Sequence, residues 1–251
     1  MADFQNKVAL VTGAGGGIGR ATAKAFAQRG AKVVVADYAA DAGQETVAQI
    51  AAAGGTASFV ACDVSVPEQV AAMVRHAVDT YGGLDYAVNN AGIDPEFAPE
   101  ADWSLDSFDR IMGINLRGVF VCMKEEIARM RGRGGAIVNV ASFASFAGVP
   151  NKPSYTASKH GVLGLTRAAA LQYAREGIRI NAVCPGGVKT AIMTDNLSSL
   201  PENGEDLVAQ NHPIGRIAEP EEIAETILWV AGSASYMVGH GLIVDGGLAA
   251  G

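Results

Sequence analysis

The sequence predicts an α/β fold: a single doubly wound parallel sheet of about seven strands with helices on both faces. Short β-branched runs alternate with segments of helical period from end to end, as in repeated βαβ units. The composition agrees, because 49% apolar residues, 6% aromatic residues and 31 glycines suit helices packed closely on such a sheet. Since α/β folds often reach 251 residues as one unit, we expect residues 1–251 to form a single domain.

The elements of the first half follow one another as strand, helix and strand. Apolar β-branched runs mark the strands, and glycine pairs and Pro67 mark the limits of helices. We expect strands at 8–11, 33–36, 57–60 and 84–88, and helices from about 20, at about 42–53 and from 67.

The second half repeats this pattern with longer helices. We expect helices at about 105–131, at about 154–175 and after Pro220, and strands at 136–140, 178–183 and 242–244. The alternation stops from 189 to 216, where residues 198–204 form a polar break. A long insertion at the edge of an α/β fold is usually functional, so we interpret 189–216 as a mobile substrate lid. A surface loop without function is the alternative.

Charge and hydropathy exclude several classes of function. The net charge is −7, and no run of lysine and arginine interrupts the mixture, which disfavours nucleic-acid binding. Residues 1–7 have no apolar signal core, and no segment approaches the roughly 18 apolar residues of a membrane span. We therefore expect a soluble, cytoplasmic protein without membrane contact.

The cysteines and histidines give no sign of a metal site. Cys62, Cys122 and Cys184 are widely spaced and lie in or beside apolar runs, so we interpret them as buried thiols. The four histidines show no ligand spacing. We predict no catalytic metal.

A glycine-rich turn follows the first predicted strand. Gly13, Gly17 and Gly19 lie between that strand and a segment of strong helix formers. Backbone N–H groups at a helix N-terminus can face a pyrophosphate, which makes this a Rossmann-type dinucleotide-binding turn. Its G-x-x-x-G-x-G spacing departs from the G-x-G-x-x-G of many such folds.

Tyr155 and Lys159 are four residues apart, so on a helix they share one face. A nearby ammonium group favours phenolate, which predicts a lowered pKa for Tyr155 and a general-acid role. The alternative is a solvated pair on the surface of a helix.

Six motifs in order complete the pattern. They are the turn from Thr12 to Gly19, Asn89-Asn90-Ala91-Gly92, Asn115, Ser142 thirteen residues before Tyr155, the Tyr155/Lys159 pair, and Pro185-Gly186-Gly187-Val188-Lys189-Thr190. With these motifs, almost the whole chain resembles the short-chain dehydrogenase/reductase family.

The resemblance implies a catalytic tetrad of Asn115, Ser142, Tyr155 and Lys159. Tyr155 would exchange a proton with the oxygen of a secondary alcohol or ketone while a hydride moves to or from nicotinamide. Lys159 would bind the nicotinamide ribose, Ser142 would bind the substrate oxygen, and Asn115 would interrupt its helix and hold a relay water. Ser142 at a strand end is also read as a helix cap.

Asp37 ends the second predicted strand, twenty residues after Gly17, where an acid that binds ribose belongs. Its carboxylate would repel a 2′-phosphate by up to about 4 kcal/mol at 4 Å and an effective dielectric of 20. Relatives that use NADP usually carry a basic residue at the positions of Gly16 or Tyr38, and this chain does not. The predicted cofactor is therefore NAD. A simple turn former is the alternative for Asp37.

The resemblance implies further cofactor contacts, some by side chain and others by backbone. Asp63 and Asn90 are also interpreted as caps or turn formers. The full predicted set is Gly13, Gly16, Gly17, Ile18, Gly19, Asp37, Tyr38, Asp63, Val64, Asn90, Ala91, Gly92, Tyr155, Lys159, Pro185, Gly186, Val188 and Thr190.

The neighbours of the motifs suggest an apolar pocket for a medium-sized secondary alcohol or ketone, with cyclic ones among the candidates. The candidates for its wall are Asp94, Pro95, Phe97, Phe143, Phe146, Met193 and Leu197. A 3-oxoacyl-type reductase is an alternative, because Arg129, Arg131 and Arg133 form a small basic cluster. A non-catalytic sensor of NAD(H) is another. The resemblance also implies a homotetramer or homodimer that pairs through the two long helices.

Overall fold

The computed structural model describes residues 3–95, 103–197 and 204–250. Within them the strands are β1 (Val8–Thr12), β2 (Lys32–Asp37), β3 (Thr56–Ala61), β4 (Tyr86–Asn89), β5 (Gly135–Val140), β6 (Ile178–Pro185) and β7 (Gly241–Val244). They form one sheet in the order β3-β2-β1-β4-β5-β6-β7, and every neighbouring pair is parallel. The predicted fold class is confirmed.

The helices follow the predicted positions closely, with one interruption. They are α1 (Gly17–Gln28), α2 (Ala40–Ala52), α3 (Pro67–Tyr81), α4 (Leu105–Met112), α5 (Val119–Met130), α6 (Pro153–Tyr173), α7 (Ala191–Leu197), α8 (Gly204–Gln210) and α9 (Pro220–Gly232). The single helix predicted at 105–131 is α4 and α5, joined by a π-helical segment, Gly113–Gly118. The short helices α7 and α8 occupy the predicted lid.

Successive strand residues face opposite layers of helices, because side chains alternate along a strand. Leu10 of β1 packs in a buried cluster with α3, α5 and α6, whereas its neighbour Val11 packs in a second cluster with α1, α2 and α9. Both faces of the sheet are therefore buried, and each fully buried aliphatic side chain contributes about 1.5–3 kcal/mol. No helix in the described ranges is long and apolar enough to cross a membrane.

The strand order reverses beside β1, which lies between β2 and β4. From there, one half of the sheet runs toward β3 and the other toward β7. A crevice opens at the carboxyl ends of the strands at such a switch point, and ligands of open α/β sheets bind there. The site is therefore expected beyond Thr12 and Asn89, the last residues of β1 and β4.

Candidate active site

A cleft of about 1370 Å³ runs along the carboxyl ends of the strands. It brings together nearly all of the predicted site residues, although they come from loops distant in sequence. Those that line it are Gly13, Gly16, Gly17, Ile18, Asp37, Tyr38, Asp63, Val64, Asn90, Ala91, Gly92, Ser142, Tyr155, Lys159, Pro185, Gly186, Val188 and Thr190. Gly19 and Asn115 do not line the cleft; they support residues that do.

Gly13 and Gly19 show why the turn after β1 requires glycine. Gly13 has φ +62°, a left-handed conformation that residues with a β-carbon rarely adopt. A β-carbon on Gly19 would lie 2.1 Å from the carbonyl oxygen of Gly13, so α1 packs too closely on the turn for any side chain there. These two glycines fix the start of α1 against the end of β1.

The loop after β4 is bonded to this glycine turn. Thr12 Oγ1 accepts from the backbone N–H of Asn90 at 3.0 Å and from that of Ala91 at 3.1 Å. In return, Asn90 Nδ2 donates to the carbonyl oxygens of Thr12 and Gly13, at 2.9 and 3.1 Å. The side chain of Asn90 is thus a brace between two loops of the cleft, in line with its interpretation as a turn residue.

Asp37 closes the adenosine side of the predicted cofactor site. Its Oδ2 accepts from Gly15 N–H at 2.7 Å, and its Oδ1 accepts from Ala39 N–H at 2.9 Å. The side chain is buried but lines the cleft. Asp37 therefore forms a turn, and its carboxylate also lines the cleft, where contact with a ribose stays a prediction.

Asp63 lines the same end of the cleft and also organises a turn. Its Oδ1 accepts from the backbone N–H and the hydroxyl of Ser65, at 2.9 and 2.7 Å. The turn leads into α3 and leaves Asp63 and Val64 along the cleft wall.

Asn115 lies at the centre of the π-helical segment and is fully buried. Its Oδ1 accepts from Ile93 N–H and its Nδ2 donates to Ile93 O, both at 2.8 Å, while Nδ2 also approaches Ser158 Oγ at 3.3 Å. A β-carbon on Gly92 would lie 3.3 Å from Asn115 Oδ1 and 3.6 Å from Lys159 Nζ. Asn115 thus holds the loop after β4 beside Lys159.

Tyr155 and Lys159 lie in the first turns of α6, as their spacing predicts. Lys159 Nζ lies 5.6 Å from the centroid of the Tyr155 ring and donates to Val140 O, the last carbonyl of β5, at 3.0 Å. The lysine is buried, and burial lowers its pKa to about 8. The interpretation as a solvated surface pair is therefore wrong for Lys159.

Ser142 is a cap residue, as one of its two interpretations predicts, and it also contacts Tyr155. Its Oγ accepts from Ala144 N–H at 3.2 Å and so caps a short 3₁₀ turn, Phe143–Ser145. The same side chain is hydrogen-bonded to Tyr155. The cap fixes the serine at the end of β5, within reach of the phenol.

The predicted lowering of the Tyr155 pKa is wrong. Burial raises the pKa of this phenol above its ordinary value, the carboxylate of Asp94 raises it further, and the hydrogen bond from Ser142 lowers it. Desolvation disfavours phenolate more than neighbouring groups favour it. In this structure the phenol is therefore held in its protonated, neutral form near neutral pH.

The predicted pocket wall is only partly assembled. Asp94, Phe143 and Met193 line the cleft, and Lys152, Ile192 and Val149 join them without having been predicted. Phe146 packs beside Gly241 and is not part of the cleft lining, and neither is the exposed Pro95. Phe97 and the side chain of Leu197 lie outside the described residues.

One buried residue of the site, His212, was missed by sequence reasoning. Its Nε2 accepts from Gly187 N–H at 2.9 Å, and its Nδ1 lies 2.8 Å from Val208 O in α8. Since an N–H can only donate and a carbonyl can only accept, these contacts fix a neutral imidazole with its hydrogen on Nδ1. A lone histidine in a loop gives no sequence signal for such a link.

Known proteins match the chain over nearly its full length. A family model described as "Enoyl-(Acyl carrier protein) reductase" matches residues 13–249. A cyclohexanol dehydrogenase of Acinetobacter sp. (strain SE19) is 44% identical over 97% of this chain and 95% of its own. A crystal structure of a short-chain type dehydrogenase/reductase from Mycobacterium marinum has a TM-score of 0.93 and 37% identity, and covers 99% of this chain and 98% of its own.

The chain belongs to the short-chain dehydrogenase/reductase family. A further relative of this dehydrogenase/reductase is a 2,5-dichloro-2,5-cyclohexadiene-1,4-diol dehydrogenase of Sphingobium indicum, 43% identical over the whole of both chains. The resemblance drawn from six motifs is confirmed, and the chain is an oxidoreductase of a family that uses NAD or NADP.

Proposed function

We propose that the chain transfers a hydride between NAD and a secondary alcohol or ketone carried on a ring. One observation carries the proposal: Ser142, Tyr155 and Lys159 meet in one continuous cleft with the glycine turn and Asp37. The names of two relatives, a cyclohexanol dehydrogenase and a cyclohexadiene-diol dehydrogenase, support a cyclic alcohol. The apolar wall of Phe143, Ile192 and Met193 suits a ring.

The cleft fits a dinucleotide. A β-carbon on Gly16 would meet nothing within 4 Å, so the backbone of the turn is open toward the cleft, where a pyrophosphate would lie at the start of α1. Asp37 would hold the adenosine ribose, Lys159 the nicotinamide ribose, and the segment from Pro185 to Thr190 the nicotinamide end. The residues that would hold the cofactor are those of the predicted set that line the cleft. When bound, NAD supplies the carbon that accepts or donates the hydride.

The four residues of the predicted tetrad have separate roles in proton transfer and in binding the substrate oxygen. Tyr155 Oη takes the proton of the alcohol during oxidation and returns it during reduction of the ketone. Ser142 donates to the substrate oxygen and stabilises its charge as it develops. Lys159, with a pKa near 8, carries a positive charge at pH 7 beside the phenol and favours its ionised form during the reaction. Asn115 positions Gly92 and Ile93.

We expect Tyr155→Phe to retain NADH binding while turnover falls by several powers of ten, because the ring stays and the proton carrier is lost. The measurement pairs NADH fluorescence titration with initial rates on cyclic and acyclic secondary alcohols and ketones. Full retention of turnover contradicts the mechanism.

The same rates with NADPH test the choice of cofactor. We expect a clear preference for NADH, because the Asp37 carboxylate would face a 2′-phosphate of like charge. Comparable kcat/KM for both cofactors contradicts the role of Asp37.

The two alternative functions have less support. Docking of an acyl carrier needs free basic side chains, but Arg131 of the arginine cluster forms an ion pair with Glu176 at 2.8 Å. A sensor of NAD(H) has no need of the tetrad. Tight NADH binding without turnover of any substrate in the panel would favour the sensor.

We further propose one catalytic domain that assembles as a homotetramer in the cytoplasm. A single sheet supports the single domain. Large apolar side chains lie exposed on two separate faces: Phe120 and Leu171 on α5 and α6, and Trp229 and Ile243 on α9 and β7. Two such faces support two kinds of contact between copies, as a tetramer requires.

A further inference from the structure

We propose that the ion pair between Asp94 and Lys152 is a second polar anchor, which recognises a hydroxyl group on the substrate away from the reacting carbon. The substrate class is then a cyclic diol. The inference rests on the proposed function and narrows it.

The pair is close and largely withdrawn from solvent. Lys152 Nζ lies 2.7 Å from Asp94 Oδ2, and the side chains are 17% and 8% exposed. Both residues line the same cleft as Tyr155. The remaining exposure of the pair is therefore available to a molecule in the cleft.

Both residues lie within a few residues of segments that contact or carry the predicted tetrad. Asp94 follows Ile93, whose backbone N–H and C=O are both bonded to Asn115. Lys152 directly precedes α6, three residues before Tyr155. The charge of Asp94 acts on both Tyr155 and Lys159, which puts the carboxylate near the reacting phenol. The phenol and the pair are thus linked through short stretches of backbone.

Stability does not explain such a pair. Withdrawal of two charges from water costs several kcal/mol per ion, and replacement of buried pairs by apolar residues is often neutral or stabilising. The neighbouring wall is apolar, with Phe143 and Met193 in the cleft lining. Charged groups retained in an apolar pocket are expected to contact a ligand.

The chemistry of the pair selects a hydroxyl group. An ammonium can only donate and a carboxylate can only accept, whereas a hydroxyl does both. A hydroxyl on the far side of a ring therefore accepts from Lys152 and donates to Asp94 while Tyr155 acts on the near oxygen. A carboxylate in that position is repelled by Asp94, and a bare ring edge excludes water from the pair without offering it a hydrogen bond.

The test is the ratio of kcat/KM for cyclohexane-1,4-diol to that for cyclohexanol, with NAD as oxidant. We expect a ratio of about 10 to 100 in the wild type, the range of a hydrogen bond to a charged group. The ratio should fall to about 1 to 3 in Lys152→Met and in Asp94→Asn. Because both alcohols use the same phenol, any effect of these changes on proton transfer cancels in the ratio.

Lys7→Met is the matched control, because Lys7 forms an exposed ion pair with Asp85 at 3.3 Å, at the opposite end of the sheet. We expect its ratio to equal that of the wild type. Thermal unfolding of each variant checks that it is folded. The ratio of kcat/KM values in the wild type tests the proposal even if a variant does not fold.

The outcomes separate the two proposals. No oxidation of either alcohol, with NADH still bound, contradicts the proposed function. Oxidation of both with a ratio near one, or a ratio that survives both substitutions, overturns the anchor alone. A preference for 4-hydroxycyclohexanecarboxylate over the diol also overturns it, since a carboxylate would have to displace Asp94 from Lys152.

Discussion

Burial acts on Tyr155 and Lys159 in the same physical sense, by disfavouring the charged form of each. The phenol pKa rises and the ammonium pKa falls to about 8, so burial disfavours both the phenolate and the ammonium form, the two charged forms that the proposed mechanism needs. Ser142 opposes the shift at the phenol through its hydrogen bond. Besides its proposed contact with the substrate oxygen, the serine thus makes the proton of Tyr155 easier to release.

Burial also shifts the pKa of a carboxyl group that does not line the cleft. Glu126 of α5 is fully buried, and Asn89 Nδ2 donates to its Oε2 at 3.0 Å. The same amide group donates to Asn139 Oδ1 at 3.0 Å. Burial raises the pKa of Glu126 from 4.5 to about 8, so the carboxyl is neutral in the folded protein at pH 7.

We expect Glu126 to make stability fall as pH rises. The folded state keeps its proton up to about pH 8 and the unfolded state loses it above about pH 4.5, so the loss occurs between these values. This group alone gives a slope of about 1.4 kcal/mol per pH unit in that interval. Glu126→Gln should flatten the slope, as measured by urea unfolding from pH 5 to pH 8.5.

Glu68→Gln on the exposed side of α3 is the control, and it should leave the slope unchanged. An equal pH dependence in the wild type and in Glu126→Gln would show that the buried carboxyl is already ionised.

At the level of elements, His212 links α8 to the loop that follows β6. Its ring is bonded to α8 on one side and to Gly187 on the other, so α8 and the Pro185–Thr190 segment share one rigid contact. A β-carbon on Gly186 would lie 2.9 Å from His212 Nε2, which shows how closely the ring packs on the loop.

We expect His212→Phe to weaken NADH binding about tenfold, because the ring volume stays but Gly187 N–H loses its acceptor. His212→Gln, which supplies an oxygen acceptor, should recover part of the affinity. Fluorescence titration with NADH measures both, and His160→Phe on the exposed side of α6 is the control. Equal affinities for the Phe and Gln variants would assign His212 to packing alone.

For the molecule as a whole, the sequence predicts the elements better than their side-chain partners. The strands could be predicted because each is a short apolar run between turn residues. The interruption at Asn115 was expected from the family resemblance and not from the hydrophobic pattern, which predicted one helix at 105–131. The contacts of His212 and of Lys152 could not be predicted from the sequence. His212 lies 25 residues from Gly187, and Lys152 lies 58 residues from Asp94. The Tyr155 pKa was misjudged because burial is a tertiary property.

The exposed apolar faces predict how the molecule behaves in solution. Trp229 is 48% exposed on α9, and we expect Trp229→Glu to convert a tetramer into a dimer, because a charge on that face opposes its burial. Sedimentation velocity measures the change. Lys24→Glu on α1 is the control for added negative charge, and it should leave the tetramer intact. A monomeric wild type would contradict the proposed assembly.

The contact between Asp37 and Gly15 bears on attempts to change the cofactor. The usual design for NADP removes the acid that faces the ribose. Here the acid proposed to face the ribose, Asp37, also accepts from the N–H groups of Gly15 and Ala39, so Asp37→Ala removes the side-chain acceptors of two backbone N–H groups together with the charge. Asn in its place offers one oxygen for two donors. Cofactor exchange in this chain therefore calls for a redesign of the glycine turn as well as of position 37.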